Sequence, residues 1–125
     1  MMVAAPGVQG IVRPAFAAGA AGNVGITYYG STQPTADKLS LYVTQTKDAL
    51  DAQPLFYSAA LNDTAHPIYH DGGLEGPSPR TDFIGGAYDL AGTSFWAGAV
   101  EQTGPADSDN VQPTTGYVGR LVFGR

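Results

Sequence analysis

The 125 residues contain no cysteine, which excludes disulfides, thiolate chemistry and cysteine-built zinc or iron–sulfur sites. Positive charge is scarce too, with six basic residues against eleven acidic ones and a formal net charge of -5. Arg13, Lys38, Lys47, Arg80, Arg120 and Arg125 are dispersed along the chain. They form no cationic stripe for a phosphate backbone, so nucleic acid is not expected as a partner. Long apolar runs are missing as well. The opening Met1 to Gly7 has no basic residue and its apolar stretch is cut by Pro6, Gly7, Gln9 and Arg13, so neither a signal peptide nor a membrane span is expected from it. Uninterrupted helical windows are equally rare, because 17 glycines and 9 prolines are spread over the whole length and each weakens or breaks a helix.

What is present is a packed body. Apolar residues make up 43% of the chain and charged ones 14%, the balance of a globular unit rather than a disordered segment. The length suits one domain, 1–125, with a modest core.

Short apolar and aromatic runs separated by turn residues predict strands. Ile11 to Ala18 and Asn23 to Gly30 flank the glycine-containing turn at Gly19 to Asn23 and read as a hairpin. Leu39 to Thr46 alternates Leu39, Leu41, Val43 and Gln45 with Ser40, Tyr42, Thr44 and Thr46, the period-two pattern of a half-buried strand. Lys47 to Pro54 has room for a single helical turn, and Leu55 to Leu61 supplies a fourth strand. His66 to Arg80 reads as a long loop with a brief strand at Ile68 and Tyr69. Asp82 to Asp89, Ser94 to Gln102 and Tyr117 to Phe123 are three further strands.

An internal repeat organises these elements. Phe16-Ala17-Ala18-Gly19, followed by Gly22 and an aromatic strand, recurs as Phe83-Ile84-Gly85-Gly86, followed by Gly92 and Phe95-Trp96. Repeats holding about four short strands are the pattern of propeller blades, here about two, at 10–62 and 66–125.

The same residues carry a family resemblance. Pro14 to Gly19, Gly22 to Gly30 and Leu41 to Thr46, with the later stretch Arg80 to Ala97, look like blades of the sialidase-like, BNR-repeat β-propellers. Asp89 to Trp96 is similar to the family's Asp-box, Ser-x-Asp-x-Gly-x-Thr-Trp, with one extra residue between Asp and Gly. Such a box stabilises a turn: the carboxylate caps backbone N–H groups, glycine takes a positive φ and an aromatic packs beneath. The resemblance implies an all-β fold of antiparallel four-stranded blades, the C-terminal blades of a propeller, in a family whose members are often extracellular.

It also implies a glycan-directed chemistry. A sialidase of this family sets three arginines on a substrate carboxylate, with a tyrosine nucleophile activated by a glutamate and an aspartate as acid/base. Arg13, in Val12-Arg13-Pro14, is similar to the family's Arg-Ile-Pro element but lacks the isoleucine, a one-residue slip that turns a strand side chain to the other face. Arg13 therefore also reads as an outward polar residue. Arg80, Asp82, Tyr88 and Trp96 complete the candidate ligand-binding set. No full Arg, Tyr, Glu and Asp set is assignable, because Glu75 and Glu101 are the only glutamates and the seven tyrosines offer no choice among them. Catalysis stays open; an active form would be an exo-alpha-sialidase-type glycoside hydrolase.

Metal and cofactor readings find little. His66 and His70 in an extended segment stand about 13 Å apart, too far for one ion. Asp107-Ser108-Asp109-Asn110 lacks the glycine and distal glutamate of an EF-hand loop. Asn62-Asp63-Thr64 fits the N-glycosylation pattern. No phosphate loop, serine-hydrolase elbow or metalloprotease motif occurs, and neither cofactor nor metal is expected.

Three functions remain open from sequence. The chain is a sialidase-like propeller piece, a non-catalytic carbohydrate- or protein-binding module in which Trp96 and tyrosines stack on a partner, or a purely structural piece. Open sheet edges favour self-association, and three copies of two blades would close a six-bladed ring.

Overall fold

A computed structural model describes residues 3–32, 38–62, 69–70, 84–102 and 114–122. Every regular element among them is a strand, and all pairings are antiparallel.

The first sheet holds β1 (Gly10–Ala18), β2 (Val24–Ser31), β3 (Lys38–Thr46) and β4 (Tyr57–Ala60) in the order β1-β2-β3-β4, with β5 (Tyr69–His70) also on β3. The second holds β6 (Ile84–Tyr88), β7 (Ser94–Gln102) and β8 (Thr114–Val122) in the order β6-β7-β8. Apart from the short β5, each is an up-and-down meander of chain neighbours. The strands fall where the apolar and β-branched runs predict them, with ends shifted by at most three residues and β7 unshifted. Between β3 and β4 the expected helical turn is instead a hydrogen-bonded turn, in which Asp51 N–H donates to the Asp48 carbonyl at 2.9 Å. Asp48 Oδ1 accepts from Leu55 N–H at 3.1 Å and from the Thr46 hydroxyl. That local bonding competes with helix continuation.

Alternation decides which neighbours each face of a strand meets. The strand β3, read from its period-two pattern as half-buried, is buried on both faces from Leu39 to Thr46, because the second sheet covers one face and the N-terminal segment packs on the other. Tyr29, Leu39, Leu41 and Val43 of the first sheet meet Phe95, Ala97 and Ala99 of β7, with Leu61, Ile84, Tyr88 and Leu121 packed around them. Phe95 is fully buried, and its ring seats where side chains are missing. A Cβ added at Gly25 would stand 2.5 Å from the Phe95 ring, and one at Gly86 would strike it as well. The two glycines are the socket that lets the sheets close on Phe95. Burying that side chain contributes about 1.5–3 kcal/mol.

The other face of the first sheet carries a second cluster. Tyr28 and Tyr42, cross-strand partners in β2 and β3, stack with centroids 5.7 Å apart and planes 10° apart. Ala5 and Val8 from the N-terminal segment cover them. Ala5 N–H donates to the Tyr28 hydroxyl at 2.8 Å, which bonds to Thr44 Oγ1 at 3.1 Å, which bonds to Ser58 Oγ. Gln9 N–H adds a bond to the Ser31 carbonyl at 2.8 Å. The segment closes off one end of the tyrosine pair.

β1 is interrupted. Val12 pairs with Tyr29 but Ala15 with Thr27, so one extra residue sits on β1. Arg13 has φ 52°, the one positive φ among described non-glycine residues. The Arg13-Pro14 step is thus a β-bulge. A bulge, not a simple register slip, sets Arg13 apart from the regular alternation of β1.

Candidate functional site

The two hairpin turns meet at one end of the molecule. In the first, Asn23 N–H bonds to the Ala20 carbonyl at 2.8 Å, with Gly22 at φ 86°. In the second, Gly92 N–H bonds to the Asp89 carbonyl at 2.8 Å, with Gly92 at φ 68°, as a type I turn followed by a left-handed glycine requires. The Gly92 carbonyl then accepts from Asn23 Nδ2 at 2.6 Å and Ala20 N–H at 3.1 Å. The repeated turns are locked to each other. An open groove of about 540 Å³ lies along this junction, lined by Ala17 to Ala20 and Ala87 to Gly92.

Asp89 is spent on its own turn. Its Oδ1 accepts from Thr93 N–H at 2.9 Å and Ser94 N–H at 3.2 Å. These backbone bonds, Thr93 first, hold its carboxyl below the usual carboxylate range, with a smaller contribution from Arg120. Capping, a positive-φ glycine and a buried aromatic thus occur together, as the turn motif predicts. The buried aromatic is Phe95, however, and Trp96 points the other way, because successive residues of a strand face opposite sides.

A folded-state pKa lowered below the unfolded value stabilises the fold above the unfolded pKa, about 3.9 for aspartate, and that stability disappears as pH falls through the folded value. Urea unfolding of the wild type should therefore weaken below about pH 4 in a way that Asp89→Asn, whose amide oxygen keeps the two acceptor bonds without titrating, does not. Equal acid sensitivity of both proteins would contradict this role.

Trp96 lies on the outer face of the second sheet and is 44% exposed. Its cross-strand neighbours are Ala87 on β6 and Arg120 on β8. The Arg120 guanidinium sits over the indole, 5.4 Å from the ring centroid, and donates to Ser94 Oγ at 2.8 Å. Cation–π contact and hydrogen bond together fix the arginine. The guanidinium backs one face of the indole and leaves the rest of the ring toward solvent. Val118 and Val122 extend the face, 69% and 56% exposed.

The other sequence candidates are scattered. Tyr88 stands on the opposite face of its sheet from Trp96, its ring tilted against Phe95 at a centroid distance of 5.2 Å. Its hydroxyl is buried with no hydrogen-bond partner among the described residues, and burial raises the phenol above its ordinary pKa. A tyrosine nucleophile needs the reverse, an adjacent base that eases loss of its proton. Arg13 is half-buried on the β1 bulge. Arg80, Asp82, His66, Asp71 and the Asp107 to Asn110 loop lie outside the described residues. Asn62 is built into the fold: its Oδ1 accepts from Leu41 N–H at 2.8 Å and its Nδ2 lies 3.4 Å from Ser40 Oγ. Among the described residues no cluster of histidine and acidic side chains is arranged for a metal, and no helix is long and apolar enough to cross a membrane.

Sequence reasoning offers Arg120 only as one of three arginines, with Arg13 and Arg80, that could converge beside a tyrosine and a carboxylate; it misses the place of Arg120 over Trp96 and its bond to Ser94. Their signal is the register: pairing Ser94 with Val122 puts Arg120 opposite Trp96, and nothing in the composition discloses that register. Comparison with protein-family models, with curated proteins and with solved structures finds no match for this chain.

Proposed function

We propose that the chain is a non-catalytic glycan-recognition module whose ligand lies against Trp96 on the outer face of the β6-β7-β8 sheet. The observation that carries this reading is the exposed indole held by Arg120 beside small neighbours. Indole stacks on the apolar C–H face of a pyranose as it does on other flat apolar surfaces. The Arg120 guanidinium, with five N–H donors of which one is given to Ser94 Oγ, offers hydrogen bonds to hydroxyl groups. The alternative of catalysis by Tyr88 with Asp89 is disfavoured by the raised Tyr88 phenol and by Asp89 Oδ1, which is committed to the Thr93 and Ser94 N–H groups of its own turn.

Trp96 is the only tryptophan, so intrinsic indole emission reports this surface alone. Titration with a panel of neutral and sialylated oligosaccharides should give a saturable change in emission for at least one of them, without turnover of a fluorogenic sialoside. Trp96→Ala, followed by calorimetry, should weaken binding at least about tenfold, or about 1.4 kcal/mol. Saturable binding that survives in Trp96→Ala would move the site elsewhere, and turnover would restore the hydrolase reading.

We read the two meanders as blade-like units, the finer architecture that the sequence resemblance implies. The supporting observation is the chain-neighbour order of both sheets. On that reading three copies close a ring. Light scattering after size-exclusion chromatography should then give three times the 12.9 kDa of one chain, and a folded monomer would end the ring proposal.

A further inference from the structure

We infer that the outer face of the first sheet is a peptide-binding site for a Pro-Gly turn, kept closed in this chain by its own residues 3–9, which act as an intramolecular ligand. This face is separate from that of Trp96. Within the segment, Val8 N–H donates to the Ala5 carbonyl at 3.1 Å, with Pro6 and Gly7 between them and Gly7 at φ 82°. That is a type II turn, in which proline presets one φ and glycine supplies the positive one. A turn preset in this way loses little freedom on binding.

The face holds the turn at three points. Ala5 N–H donates to the Tyr28 hydroxyl at 2.8 Å, and Thr44 Oγ1 fixes that hydroxyl at 3.1 Å. Val8 seats over Gly30, where an added Cβ would stand 3.0 Å from Val8 Cγ1 and 2.9 Å from the Tyr42 ring. Gln9 N–H then bonds to the Ser31 carbonyl at 2.8 Å. Between these anchors Ala5 and Val8, each 6% exposed, pack on the stacked Tyr28 and Tyr42, whereas Pro6 and Gly7 are exposed. A polar acceptor, a seat for one aliphatic side chain and an aromatic floor are the elements of a peptide site.

Two observations make the segment displaceable. It is held by two small side chains and a few hydrogen bonds, against the entropy of ordering its backbone. The face also runs on beyond it. Ile26 packs on the tyrosine cluster, and its cross-strand partner Phe16, on the same face, is 80% exposed. The partner that fits is a protein loop carrying a small residue, Pro, Gly and Val in this order, with a further apolar residue for Phe16. It covers the tyrosines and Phe16 together, which residues 3–9 do not.

The test follows a fluorescently labelled, acetylated peptide of residues 3–9 by anisotropy, added to the full-length wild type and to Gly7→Val. A Cβ at residue 7 meets nothing within 4 Å, so the substitution opens the turn through its positive φ and leaves the face intact. A site filled by its own segment shows an affinity reduced to the open fraction, so Gly7→Val should bind the peptide at least about tenfold more tightly than wild type. A peptide N-methylated at Ala5, which lacks the donor to Tyr28, should lose about tenfold, as should one with Val8→Gly. Adding Gly30→Ala to Gly7→Val should abolish binding. A leucine added at one of the two ends of the peptide should raise affinity, and Phe16→Ala should cancel that gain.

Equal binding to wild type and Gly7→Val, or binding to neither, overturns the inference and leaves residues 3–9 a fixed cover. Affinity unchanged by N-methylation and by Val8→Gly overturns it too. Should Gly7→Val lose its near-UV circular dichroism, hydrogen exchange in the wild type decides. Ala5 and Val8 amides that exchange at least about a hundredfold faster than those of Val43 and Thr44 support a displaceable segment, and equal protection overturns it. Dimerisation of Gly7→Val without peptide overturns the partner in favour of the segment of a second copy.

Discussion

Replacing Phe95 by alanine is expected to lower the unfolding free energy by about 3–5 kcal/mol, the range for a fully buried phenylalanine. A domain of this size holds about 5–15 kcal/mol in all, so the variant should sit near the edge of folding. The size of the effect follows from the socket. Gly25 and Gly86 approach the ring from the two sheets, and neither has a side chain to fill the space the ring leaves. The cavity therefore cannot collapse without moving backbone. Urea denaturation should show a lower midpoint at unchanged slope. A loss below about 1 kcal/mol would mean that the sheets do not depend on this contact.

The second large effect is expected at Gly92. Substitution by valine places a β-branched residue at φ 68°, where an L-residue costs about 1–2 kcal/mol. The new Cβ would also strike the backbone nitrogen of Ala20. That nitrogen and Asn23 Nδ2 are the donors to the Gly92 carbonyl, so the clash opens the junction between the turns and removes two hydrogen bonds of about 1 kcal/mol each. The sum is about 3 kcal/mol, or roughly 10 °C in Tm. Asn23→Ala, which removes one donor and adds no strain, should cost less than half as much. Equal losses in the two variants would place the whole effect in the hydrogen bond and none in the backbone.

The strands were legible because each alternates or runs apolar between turn residues. Leu39, Leu41 and Val43 announce an inward face, which the structure buries, but it buries Ser40, Tyr42 and Thr44 of the other face as well. The glycine of each hairpin turn was legible too, at positive φ in both, although Gly22 is the third residue of its turn and Gly92 the fourth. The opposite fates of Phe95 and Trp96 were not. Both are aromatic, adjacent and strand-compatible, and only the docking of β7 onto Gly25 and Gly86 decides that Phe95 goes in. The cover over the tyrosine pair was equally hidden, because Ala5 and Val8 carry no periodic signal and are buried by contacts to Tyr28 and Tyr42. Of the candidate ligand residues, Trp96 faces solvent on an open sheet face. Tyr88 is turned inward by the same alternation, Arg13 is carried on a bulge, and Arg80 and Asp82 lie outside the described residues.

The locked turns also set an order in time. The Gly92 carbonyl takes a donor 69 positions earlier in the chain, whereas every strand pair except β3 with β5 joins neighbours in sequence. Hairpins close in about 1–10 μs, so each meander assembles from local contacts long before the distant bond is made. On a ribosome adding about 5–20 residues per second, the roughly 40 residues between β4 and the end of β7 take about 2–8 s to emerge. Through that interval the nascent first sheet presents Tyr29, Leu41 and Val43 with nothing from β7 against them. Those seconds are the chain's period of greatest exposure to aggregation, and the arrival of Phe95 ends it.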